Sequence, residues 1–104
     1  MHHRLRAELA DLGAAEVIKM KLSDTVYLMN SADWKDRFIA EYIQLQIRII
    51  RLEEVLNSTP DSFTALDSMT KAIMFKQLDA MESYKLCLEK RAALAEIDLN
   101  PHHR

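Results

Sequence analysis

Apolar residues recur at helical spacing along four stretches of the chain. In the first, from Leu5 to about Leu22, Leu5, Leu9, Leu12, Val17 and Met20 share a face, and Glu8, Asp11 and Glu16 fall on others. That periodicity predicts an amphipathic helix, weakened at Gly13 by about 1 kcal/mol relative to alanine. A short second stretch, Ser23 to Met29, begins with two residues able to cap a helix by accepting a free backbone N–H. It predicts one or two helical turns, ending at a joint at Asn30-Ser31, where a new cap is available. The third stretch, Ala32 to Asn57, is the clearest. Phe38, Tyr42, Leu45, Ile49, Leu52 and Leu56 step alternately by four and three residues, which is a heptad seam for packing against another helix. A helix of that span is about 39 Å long.

The polar run Asn57-Ser58-Thr59-Pro60-Asp61-Ser62 holds the one internal proline and predicts the turn between two helices. The helix after it starts either at Pro60, with Ser58 or Thr59 before it, or at Thr64, with Asp67 completing a box-like cap. The second start gives a continuous helix from about Thr64 to Asp98. Its seam is Met74, Leu78, Met81, Tyr84, Leu88, Ala92, Ala95 and Leu99, and Asn100-Pro101 stops it. A short turn between long helices makes them antiparallel neighbours. The expected fold is therefore all-α, an antiparallel helical hairpin over residues 32–99. Residues 1–31 form a short N-terminal helical segment and joint, and 100–104 a disordered tail.

Each long helix carries a second apolar stripe. Ile39, Ile43, Ile47 and Ile50 fall about 100–180° from Phe38 on a helical wheel, and Phe75, Leu86, Ala93 and Ile97 fall about 120–160° from Met81. A two-helix hairpin buries one stripe per helix, and soluble monomers avoid large exposed apolar patches. Closed self-association is the expected solution, with a three-helix monomer of thicker core as the alternative.

Composition narrows the function classes. With 104 residues the chain is one domain at most, and one glycine and two prolines leave too few turns for a β-sandwich or barrel. Fourteen Lys plus Arg against 16 Asp plus Glu give a net charge of −2, without the basic excess of a DNA- or RNA-binding protein. Cys87 is the sole cysteine, so no internal disulfide forms and a reducing, cytoplasmic setting is expected. No apolar run is long enough to span a membrane, and the N-terminal stretch, which lacks an apolar signal core, is not expected to be a secretion signal. The chain holds no Gly-rich phosphate loop, CxxC, HExxH or GxSxG, and no histidine between residues 4 and 101. No catalysis and no cofactor are expected. The pairs His2-His3 and His102-His103 read as tail residues rather than a metal site, which takes about four ligands.

What chemistry remains is an arginine face. Arg37, Gln44, Arg48 and Arg51 fall within about 60° of one another, opposite the isoleucine stripe. Arginine presents a planar fork of donors suited to phosphate, so an anion site completed by another helix or protomer is one reading. A solvated polar face with weak ion pairs, some to Glu41, is the other. Tyr27 and Trp34 flank the Asn30-Ser31 joint, where they either stack on nucleobases or close the end of the core. Tyr84 and Lys85 are candidates to line a site from the last helix.

The stretch MKLSDTVYLMNSADWKDRFIAEYIQLQIRIIRLEEVL from Met20, together with KQLDAMESYKLCLEKRAALAEIDL, resembles a family of small phage and prophage proteins related to a crAss-like phage gene product. The two segments cover most of residues 20–99. Their hairpin form is similar to that of phage anti-defence sponges, small helical oligomers that sequester the cyclic nucleotide signals of bacterial immunity. The resemblance implies a cytoplasmic homo-oligomer in a phage-infected host. It would bind a cyclic nucleotide, with Arg37, Arg48 and Arg51 meeting phosphates, Tyr27 and Trp34 contacting bases, and Tyr84 and Lys85 lining the pocket. A non-catalytic interaction or structural module is the alternative.

Overall fold

The computed structural model describes residues 19–57 and 67–100. The expected helix before Lys19, the Pro60 turn, the four histidines and the tail beyond Asn100 lie outside the described residues. A 3-10 turn (Leu22–Thr25) runs into a one-turn helix, α1 (Val26–Met29). Two long helices follow, α2 (Trp34–Leu56) and α3 (Ser68–Ala95), with no strand among the described residues.

Side chains near each helix end fix where it starts. The Asp24 carboxylate accepts the Lys21 N–H at 2.8 Å, and the buried Thr25 hydroxyl donates to the Leu22 carbonyl at 2.7 Å. α2 is capped by Asp33, which accepts the Lys35 N–H at 2.9 Å, and not by Asn30 or Ser31. Ser31 supports that cap instead: its hydroxyl accepts the Asp33 N–H at 3.1 Å and donates to Asp36 at 2.7 Å. α3 opens at Ser68, not Thr64. Asp67 is its cap and accepts the Thr70 N–H at 2.6 Å. Bonds from Thr70 hold the Asp67 carboxyl below its ordinary pKa, because they favour the ionised form.

α3 also ends earlier than the proline signal suggests, at Ala95 rather than Asp98. Glu96 takes a left-handed conformation (φ 56°), its N–H reaching the Ala93 carbonyl, and the Ile97 N–H reaches that of Ala92 at 2.9 Å. These two bonds make a Schellman motif, in which an apolar contact between the residues at its ends is usual; Ala92 and Ile97 are both buried. Reversal here lifts Ile97 and Leu99 off the helix and turns them onto the core.

The long helices are antiparallel. Tyr42 on α2 donates to Glu89 on α3 at 2.7 Å, while Phe38, one turn earlier, meets Arg91 further along α3. Gln46, also buried, donates to the Tyr42 hydroxyl at 3.3 Å, so the Tyr42 end of the link is buried and the Glu89 end half-buried.

α2 is the centre of the molecule. Its seam residues Phe38, Tyr42, Leu45 and Ile49 are buried, and so are Ile39, Ile43 and Ile47 of the second stripe, with Ile50 half-buried. This corrects the basis on which self-association was expected: the isoleucine stripe is covered within one chain. Two helices alone could not do this. Leu28 joins the same core, and Met20, Leu22 and Leu99 pack against it from segments flanking the hairpin. On α3, Phe75 and Ala93 are exposed and Leu86 is half-buried, so that stripe does not continue the core.

Candidate functional site

The open end of the hairpin holds a cleft of about 250 Å³, lined by Trp34, Phe38, Arg91, Leu94, Ala95 and Ile97. Each wall has a local cause. Asp33 starts α2 so that Trp34 occupies its first turn, where the indole is half exposed. Phe38 lies one turn further and is buried. The two rings meet edge to face, centroids 6.4 Å apart and planes at 90°, a favoured geometry for aromatic pairs. Across the hairpin, the guanidinium of Arg91 stands over the Phe38 ring, 4.8 Å from its centroid. A cation–π contact of this kind stabilises by about 0.5–1 kcal/mol at an exposed site. The Arg91 side chain is exposed, and the N–H donors of a guanidinium suit an anion. The Schellman turn brings Ile97 back as the floor, and Leu94 stands at the rim, 88% exposed.

Of the seven residues expected to bind a ligand, Trp34 alone lines this cleft. Arg37 is exposed, but its Nη1 donates to the Ser31 carbonyl at 2.7 Å, tying α2 to the joint before it. Gln44, on the same face, is also used structurally: its Nε2 donates to the Thr25 hydroxyl at 2.8 Å and lies 2.9 Å from the Met29 sulfur. Arg48 and Arg51 are exposed on α2, about 15 and 20 Å along the axis from Phe38. Tyr27, on α1, is 64% exposed and belongs to no aromatic pair with Trp34 among the described residues. Tyr84 is exposed and Lys85 half-buried on α3, about 9–10 Å along the axis from Arg91. Two members of the arginine face, Arg37 and Gln44, are thus engaged in holding the segment before α2.

Arg91 is the residue that pattern reading passed over. Its signal lay in register: once Phe38 and Ala92 are assigned to facing seams, the residue beside Ala92 must border Phe38. No group of His, Cys, Asp or Glu among the described residues gathers to hold a metal ion, and no described helix is long and apolar enough to cross a membrane.

A family match covers residues 32–94, more than half of the chain, from the joint before α2 almost to the end of α3. The chain belongs to the Sequestin family. No curated protein and no solved structure matches it. The Sequestin region contains Trp34, Phe38, Arg91 and Leu94, so four of the six cleft residues lie inside it, and the other two, Ala95 and Ile97, fall just after it.

Proposed function

We propose that this chain binds and sequesters a small anionic ligand bearing a planar ring, without catalysis, and that a cyclic nucleotide signal of bacterial immunity is that ligand. The setting would be the cytoplasm of a phage-infected host. The observation that carries the reading is Arg91 over Phe38 beside the half-exposed Trp34. Trp34 offers a ring edge and face for a base, and Arg91 offers a guanidinium edge for a phosphate. The family name points to sequestration, and a protein that only withholds a ligand needs affinity and no reacting group. At about 250 Å³ the cleft lies below the roughly 300–1,000 Å³ of most ligand pockets. One copy therefore grips a single ring and its phosphate, and a homo-oligomer would be needed to enclose more.

Calorimetry against a panel of cyclic di- and trinucleotides tests this. Wild-type protein should release heat with at least one member and bind more weakly at higher salt. Arg91→Ala should weaken binding roughly ten-fold or more, the scale of one charge-assisted hydrogen bond. Arg91→Lys should recover part of the loss, because it keeps the charge but not the planar fork. Arg48→Ala should be nearly silent. If Arg48→Ala abolished binding and Arg91→Ala did not, the ligand would sit on the arginine row instead. No heat from any member with wild type would end the nucleotide reading for that panel.

A further inference from the structure

The side chains that line the cleft offer hydrogen-bond donors and no acceptor. Trp34 contributes its indole N–H and Arg91 its guanidinium, while Phe38, Leu94, Ala95 and Ile97 are hydrocarbon. At the floor, the backbone amides of Glu96 and Ile97 are already given to the carbonyls of Ala93 and Ala92. Nucleobases differ from one another at their edges, in where amino groups and carbonyl oxygens stand. With no acceptor side chain in the lining, an amino group gains no side-chain partner here. What the cleft presents instead is ring faces, on which every base stacks, and one cation.

Size, by contrast, is fixed. Inner wall and floor are parts of the core, with Phe38 5% and Ile97 9% exposed. Ile97 is held in place by the left-handed Glu96 and by its own N–H bond to the Ala92 carbonyl at 2.9 Å. The floor therefore cannot recede without undoing the turn that ends α3, and a packed interior yields little to an oversized group.

We propose that the cleft selects its ring by size and not by the pattern of its edge, and that Ile97 is the specificity-determining residue that sets the limit. This selection rests on the ligand reading above and leaves phosphate recognition to Arg91. Rings of one size are then held alike, whatever amino groups they carry. Trimming Ile97 deepens the cleft and favours two fused rings over one.

Aryl phosphates test this separately from nucleotide binding, because they carry a ring and a phosphate but no base edge. Phenyl phosphate has one ring and 1-naphthyl phosphate two. Each is titrated into the full chain while the NMR signal of its only indole N–H, that of Trp34, is followed. Phenyl phosphate should shift that signal of the wild type along a saturable curve. Ile97→Ala should raise the ratio of naphthyl to phenyl affinity by about ten-fold, the scale of a methylene in an apolar pocket. Ile97→Val, one methylene smaller and gentler on the fold, should move the ratio the same way by less. Adenosine 5′-monophosphate and its analogue lacking the amino group should bind within about three-fold of each other, because stacking tolerates any base. A site bonded to that amino group would reject the analogue by about ten-thousand-fold. A Trp34 signal unmoved by phenyl phosphate overturns the proposal. So does an affinity ratio indifferent to both Ile97 variants, or a loss of more than about ten-fold on removing the amino group. Aryl phosphates that bind and obey the Ile97 ratio while the cyclic nucleotide panel stays silent would uphold selection by size and end the nucleotide reading.

Discussion

The two long helices have similar lengths and opposite surroundings. α2 buries ten side chains around most of its circumference, and α3 buries two. The difference comes from what lies on each. α2 receives α3 on one side, and the 3-10 turn, α1 and the chain beyond α3 supply further cover. α3 packs mainly against α2 among the described residues, and most of its other faces are open to solvent. One helix therefore carries the stability and the other presents the surface, and the cleft forms where they meet at the open end of the hairpin.

The sharpest way to break that comparison is one pair of truncations. Ile43→Ala on α2 removes a side chain that is 1% exposed and should cost about 2–5 kcal/mol in urea unfolding. Ile73→Ala on α3, 58% exposed, should change the stability of the monomer by no more than about 0.5 kcal/mol. Similar losses at the two sites would mean that α3 is as enclosed as α2. Smaller in size is the link between the helices. Tyr42→Phe removes the hydroxyl that bridges Gln46 and Glu89, and should lower the unfolding free energy by about 1–2 kcal/mol.

Much of this arrangement is legible in the sequence. The seams Phe38–Leu56 and Met74–Ala92 depend only on the alternation of three- and four-residue steps, which any apolar side chain reports. Helix ends were harder, because they depend on local bonds. Asp33 displaced Asn30 and Ser31 as cap, and the left-handed Glu96 ended α3 before the proline could. The isoleucine stripe was visible, but its cover was not. Met20, Leu22, Leu28, Ile97 and Leu99 reach it through reversals of the chain that a single-helix wheel cannot represent. Likewise the arginine row is real as a pattern on α2, yet Arg37 serves the Ser31 carbonyl. Arg91 enters the cleft through the register between helices, a relation absent from either helix alone.

Two further changes sharpen the account of the ends of α3. Glu96→Gly relieves a left-handed backbone that favours glycine and should raise stability by about 0.5–1 kcal/mol in thermal or urea unfolding. Asp67 should give the smallest effect, seen only in acid. Its folded-state pKa is lowered, so its contribution is present above the unfolded value and fades as pH falls through the lower folded one. Asp67→Asn should keep a cap and flatten that part of the stability profile below about pH 4.

Trp34 is the single tryptophan of the chain and stands in the cleft beside Phe38 and Arg91, so its fluorescence reads the cleft directly. Titration of wild type with the cyclic nucleotide giving the largest calorimetric response should quench or shift Trp34 emission along the same binding curve as the heat. With Arg91→Ala the curve should move to higher concentration. Binding heat with no change in Trp34 emission would contradict the assignment of the cleft as the site of sequestration.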